Sequence, residues 1–343
     1  MCDMPARRFR ERQRRRTSFV KRFPCAVALL WCVLGSRVVV AGGEADAPLC
    51  VLDTSPLERL PRFAAAGNHS QRRLFDIVTY AYEKDLLHIR VTELQNVVHA
   101  HFVSVCNVSF SALPLTLDTN FTSFGALADK IHVVHCGADY PTDPSPWPRE
   151  GYARKNVLDA VKPHLRPNDV VIVSDVDEIP SAEVARELLR RELGNELVHL
   201  RMPLWRYTFG CVDPDLAGPG RDRCGPLALA GARAVQESGD KLRNYGHECS
   251  APGVQVFCAG WHCSSCLPSA QLRDKFAHFS HANDGSMKDY NAAVKANLSI
   301  LEGHMRGCRS PQDAGYQRTT KTRGLPEAVW AGHTPYLLPL QEA

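Results

Sequence analysis

Neither G-x-G-x-x-G nor G-x-x-x-x-G-K-[S/T] occurs anywhere between Met1 and Ala343. Without a glycine-rich phosphate loop, the P-loop nucleotidases and the dinucleotide-binding folds are excluded as first readings. No internal repeat and no sustained heptad is present either, which removes stacked-repeat and coiled-coil architectures. A net positive charge is missing beyond the N-terminus. The formal net charge is +4, yet residues 1–22 hold nine bases (Arg7, Arg8, Arg10, Arg12, Arg14, Arg15, Arg16, Lys21 and Arg22) against Asp3 and Glu11. The body that follows Arg37 is therefore mildly acidic and lacks a nucleic-acid footprint. An unbroken apolar run of full spanning length is also missing. Phe23 to Gly35 is apolar, but Ser36-Arg37 interrupts it before Val38-Val39-Val40-Ala41.

A basic flank before an apolar run is a secretory-pathway signal, and the positive-inside rule keeps that flank cytoplasmic. The long basic region favours a signal anchor, with Arg37 snorkelling toward the lumen. Val39 and Ala41 also permit cleavage after Ala41, which would make the product secreted. Cysteine, by contrast, is abundant, with 13 in 343 residues. Setting aside Cys2, Cys25 and Cys32 leaves Cys50, Cys106, Cys136, Cys211, Cys224, Cys249, Cys258, Cys263, Cys266 and Cys308. An even set in a secretory chain predicts several disulfides, their pairing open. Sequons at Asn68, Asn107, Asn120 and Asn297 agree with a lumenal body. The expected organisation is a basic cytoplasmic tail over 1–22, a signal anchor over 23–41, a Gly-, Ala- and Pro-rich stem over 42–70, and one lumenal domain over 71–343.

Strand-like and helix-like runs alternate through that domain. Strands are expected over 75–80, 97–105, 131–135, 197–200 and 254–257, and helices over 85–94, 149–164, 181–191, 269–279 and 286–305. This alternation predicts an α/β fold with a largely parallel sheet. Residues 211–253, rich in Gly, Pro and Cys, read as loops held by disulfides.

The most informative stretch is Val170-Val171-Ile172-Val173-Ser174-Asp175-Val176-Asp177-Glu178-Ile179-Pro180. Four β-branched residues predict a central strand buried on both faces, which Pro180 ends. If the strand stays extended, Asp175 and Asp177 point the same way beyond its carboxyl end, where open α/β sheets bind ligands. Two carboxylates sharing a small space call for a cation, and oxygen ligands suit Mg²⁺ or Mn²⁺. The plainer reading is an acidic turn before a helix capped by Ser181.

Four motifs in this order resemble glycosyltransferase family 17, the bisecting β-1,4-N-acetylglucosaminyltransferases. They are Glu83-Lys84-Asp85-Leu86-Leu87-His88-Ile89-Arg90 with Glu93-Leu94, Trp147-Pro148-Arg149-Glu150-Gly151-Tyr152-Ala153-Arg154, Asp175-Val176-Asp177-Glu178-Ile179-Pro180, and Gly260-Trp261-His262-Cys263-Ser264. Lys275 and His281 fall where the family carries Lys and His, and the similarity covers roughly residues 75–340. His99 and Cys106-Asn107 depart from it, standing where the family has Asp and Glu. The resemblance implies a GT-A-like catalytic domain, anchored in the Golgi membrane as a single-pass type II protein. It further implies inverting transfer of GlcNAc from UDP-GlcNAc to the core mannose of an N-glycan or glycoprotein, or a family reaction with another donor or acceptor.

In that chemistry Asp177 is the expected principal ligand of Mn²⁺ or Mg²⁺, with Asp175 a second ligand or ribose contact and His262 a third ligand. Glu178, next in the chain, is the first candidate base, with Asp240 and Glu248 as others. Arg154 and Lys275 are candidates for the donor's phosphates, and Trp205, Tyr207 and Trp261 for sugar rings. Three rival classes remain open: a lectin-like relative that has lost catalysis, and two that the residues themselves suggest. A Mg²⁺-dependent Asp-x-Asp phosphohydrolase shares the strand and acid spacing, and Cys258, His262, Cys263 and Cys266 have the spacing of a zinc module.

Overall fold

The computed structural model describes residues 50–64, 72–213, 224–249, 251–311, 316–318, 325–326, 329 and 334–338. The basic tail and the apolar segment over 23–41 lie outside these residues. Among the described residues no helix is long and apolar enough to cross a membrane.

The elements in chain order are β1 (Leu74–Thr79), α1 (Lys84–Leu94), β2 (Ala100–Val105), β3 (Ile131–His135), α2 (Trp147–Val161), β4 (Val170–Asp175), β5 (Glu178–Pro180), α3 (Ala182–Arg190), β6 (Val198–Leu200), β7 (Leu204–Arg206), β8 (Thr208–Val212), β9 (Leu227–Ala230), α4 (Gly231–Gln236), α5 (Gly239–Glu248), β10 (Val254–Val256), β11 (Gly260–Ser264), α6 (Ser269–His278), α7 (Gly285–Ala296), α8 (Leu298–Arg306) and β12 (Gln317–Arg318). The larger sheet runs β10-β6-β9-β4-β1-β2-β3. Its pairings are parallel except at β9, which lies antiparallel to both β4 and β6. A second sheet runs β12-β8-β7-β11-β5.

β4 owes its central place to its alternation. Val170 and Ile172 enter a core with α3 and the end of α1, while Val171 and Val173 enter another with Val157, Leu158 and Val161 of α2. Both faces of the strand are thus covered, as its unbroken apolar run predicts. Ser181 caps α3 by accepting the N–H of Val184 at 3.3 Å.

Three expectations change. The stretch over 211–253 contains β9, α4 and α5, and all four residues of β9 are buried. Gly231, at the start of α4, lies so close to the Arg166 carbonyl that a Cβ would collide with it. The single helix expected over 286–305 is two, because extended Asn297 breaks it and caps α8 by accepting the Ser299 N–H at 3.0 Å. Residues 50–64, expected within a stem, pack on the domain: Leu57 and Leu60 share a core with β4.

All ten body cysteines are bridged, as Cys50–Cys258, Cys106–Cys136, Cys211–Cys308, Cys224–Cys249 and Cys263–Cys266. The thiolates that a zinc module would need are consumed in the first and last of these bonds.

Candidate active site

The carboxyl ends of β1 and β4 meet the second sheet at the acidic stretch. β4 ends at Asp175, the chain turns at Val176-Asp177, and β5 returns antiparallel to β11 with Glu178 opposite His262. The carboxylates are therefore presented by a turn and not by the extended strand that alternation predicts. The turn is held on both sides. Cys263 N–H donates to the Asp177 carbonyl at 2.9 Å. From beneath, Arg90 of α1 donates to the carbonyls of Asp175 at 3.2 Å and Glu178 at 2.6 Å.

Arg90 is itself wholly buried. Its guanidinium forks onto Asp76 of β1, at 2.7 and 2.6 Å, and reaches Ser174 Oγ at 2.6 Å. His101 Nδ1 lies 2.8 Å from the same Asp76 carboxylate. Burial pushes the Asp76 carboxyl up, but Arg90 and His101 outweigh it and hold the group well below the usual carboxylate range.

Above this base, Asp175 Oδ1 accepts from Thr79 at 2.9 Å and from Arg154 at 3.0 Å. Arg154 also pairs with Glu150, one turn away on α2, at 2.5 Å. Asp177 faces two different groups. Lys275 Nζ lies 3.4 Å from Oδ2, and His262 Nε2 lies 3.8 Å from Oδ1. The same ammonium sits 2.5 Å from Glu83. Desolvation lowers its pKa, yet Glu83, Asp177 and Asp175 together raise it above the ordinary lysine value. Lys275 is thus a fixed cation among three carboxylates.

The structure brings Asp175, Asp177, Arg154, His262 and Lys275 into one neighbourhood. Glu178 is placed otherwise than a base requires: it is 1% exposed, and its carboxylate accepts the Asp175 N–H at 3.0 Å. It clamps the turn. Trp261 is partly buried and packs against the core that holds Ile179 and Phe209, while Trp205 and Tyr207 are 4% and 0% exposed. Those buried positions remove Trp205 and Tyr207 as sugar platforms. Asp240 and Glu248 fall on α5, and their side chains lie outside the described residues. Gly260 opens β11 because a Cβ there would strike the Ile179 carbonyl of β5. That close approach sets His262 beside the turn.

Among the described residues no three His, Cys, Asp or Glu side chains are grouped to enclose a metal. A divalent cation completed by substrate phosphates needs only one or two protein ligands. On an octahedral ion two adjacent ligands about 2.1 Å from the metal stand about 3.0 Å apart, so the 3.8 Å between Asp177 Oδ1 and His262 Nε2 has to close by less than ~1 Å for both to bind. The donors, a carboxylate oxygen and an imidazole nitrogen, suit such an ion. Asp175 reaches the same space with one oxygen already shared by Thr79 and Arg154.

Glycosyltransferase family 17 matches residues 63–317. A Homo sapiens protein named beta-1,4-mannosyl-glycoprotein 4-beta-N-acetylglucosaminyltransferase is 27% identical over 264 residues, 68% of this chain and 48% of that protein. The chain thus spans about half the length of that curated relative. Among solved structures, a mycobacterial protein is 16% identical, covering 60% of this chain and 73% of its own, with a TM-score of 0.33. A mannosyltransferase of Pyrobaculum calidifontis, in complex with GDP-Man and Mn²⁺, is 13% identical, covering 82% and 89%, with a TM-score of 0.30. Neither likeness is close enough to carry residues across.

Proposed function

The chain belongs to glycosyltransferase family 17, and from that membership we propose that it moves GlcNAc from UDP-GlcNAc to the β-linked core mannose of N-glycans, with inversion. Membership also sets aside the phosphohydrolase. The observation that carries the site is the pairing of Asp177 with Lys275 on one oxygen and His262 on the other, at the carboxyl end of a central strand. The choice of donor and acceptor is supported by the name of the human relative.

In this reading the domain is GT-A-like, and Asp177 with His262 would hold Mn²⁺ or Mg²⁺. The ion supplies positive charge to the departing diphosphate. Lys275 adds a point charge at the same edge, and it stays protonated because three carboxylates surround it. Arg154 and Thr79 fix Asp175, leaving that carboxylate suited to a hydroxyl of the donor's ribose. Arg90 keeps the turn in register with β11, so these groups need no rearrangement before donor arrives. We further propose a Golgi membrane setting, with the bridged body in the lumen behind a single N-terminal anchor.

The test is product mass and linkage after the full chain is incubated with N-glycan, a panel of sugar nucleotides, and either Mn²⁺ or a chelator. Gain of one GlcNAc on the core mannose, lost on chelation, is expected. Transfer of a different sugar, or to a different residue of the glycan, overturns the substrate assignment. Unchanged turnover in chelator overturns the metal.

A further inference from the structure

Trp147, Glu150, Gly151 and Arg154 share one face of α2, being spaced i, i+3, i+4 and i+7. The inner end of this row is Arg154, 3.0 Å from Asp175. One turn outward, Glu150 takes hydrogen bonds from Arg154 and from Ser280. At the outer end Trp147 meets His281 edge to face, with ring centroids 4.9 Å apart and planes at 75°. His281 Nδ1 lies 2.7 Å from Asp284, which turns the opposite ring nitrogen, Nε2, away from that carboxylate.

Trp147 is 50% exposed, and His281 is exposed beside it. A single exposed ring is ordinary on a protein surface; what sets Trp147 apart is its place at the outer end of a row that runs through Glu150 and Arg154 to Asp175. A pyranose complements Trp147 and His281, having an apolar C–H face for the indole and hydroxyls at its rim for an imidazole nitrogen. Glu150 and Asp284 flank the pair, and their charge disfavours a phosphate there. Seven helical residues carry Trp147 about 10 Å along α2 from Arg154. In the proposed site the donor's diphosphate lies beside Asp177 and its ribose beside Asp175. A pyranose seated on Trp147 then belongs to the acceptor, and the donor's base is the competing occupant that the kinetics below separate.

We propose that Trp147 is the platform on which a pyranose of the acceptor glycan stacks, with His281 Nε2 bonding one of its hydroxyls. This rests on the glycosyltransferase reading of the site. The experiment measures binding of a free neutral N-glycan core to the full chain by calorimetry, alongside steady-state kinetics. Trp147→Ala is expected to weaken glycan binding and raise acceptor KM roughly tenfold, with donor KM and Tm unchanged, while Trp147→Phe restores most of the loss. Glycan bound equally well by wild type and Trp147→Ala, or by neither, overturns the platform. A rise confined to donor KM also overturns it and assigns the ring to the donor. Binding that depends on Trp147 in a wild type that transfers nothing upholds the platform and overturns the proposed reaction alone.

Discussion

Asp177 holds an ammonium on one oxygen and faces an imidazole with the other, so replacing its charge without its volume separates chemistry from packing. Asp177→Asn should fold normally and lose about 3 kcal/mol of barrier lowering, on the order of a hundredfold in turnover. Turnover of UDP-GlcNAc and thermal unfolding, measured side by side, check this. A stable variant with near-normal, still metal-dependent turnover would remove Asp177 from the site, and one that fails to fold would restore the plainer turn reading. Asp175→Asn should be milder, because Thr79 and Arg154 remain to hold an amide in the same place. The sequence marked these acids because their strand and proline were in register. It also held a signal for Arg90 that went unused: a lone arginine amid the buried Leu86, Leu87, Ile89, Val91 and Leu94 of α1 demands a buried carboxylate. Asp76, alone in the apolar run of β1, is the matching residue.

Between elements, the junction of β4, β5 and β11 depends on that buried pair and on one glycine. Asp76→Asn leaves the Arg90 charge buried without its anion and should cost about 3–5 kcal/mol at neutral pH, read from denaturant midpoints. The sign of the pH dependence follows from the depressed Asp76 pKa. Its contribution is complete above the unfolded Asp value of about 3.9 and is lost as pH falls from there toward the folded value. The gap between wild type and Asp76→Asn should therefore narrow below roughly pH 4; a gap constant with pH would show that the carboxylate's charge is not what matters. Gly260→Ala should separate β11 from β5, since its new Cβ meets backbone on the facing strand. Activity should fall along with Tm, and an unchanged Tm would mean the strands tolerate the separation. Much of the α/β pattern was legible because β1 to β4 and their helices carry regular apolar periods. β9 was not, for Leu227-Ala228-Leu229-Ala230 is too short to show a period and is a strand only because β4 and β6 flank it. The turn at 176–177 was equally hidden, being imposed by pairing with β11, more than eighty positions away in the chain.

For the molecule as a whole, the proposed lumenal setting predicts that non-reducing peptide mapping finds the ten body cysteines bridged, and ten free thiols would overturn it. If the apolar segment over 23–41 is an anchor, carbonate extraction should leave the full-length protein in the membrane pellet. A soluble mature chain beginning at Gly42 would make that segment a cleaved signal. The Cys50–Cys258 bond closes a sequence separation of 208 residues and joins the first described residue to the loop after β10. Its consequence is mechanical. Tension applied at the N-terminus passes through the bond and leaves the intervening chain unloaded, including β4, the acidic turn and the Trp147 row. In single-molecule stretching, a protein that keeps only this bond should gain about 700 Å of contour length when it is reduced. The acidic turn and the Trp147 row then lie inside a covalent bypass, sheltered from a pull on the end by which the protein is proposed to be tethered.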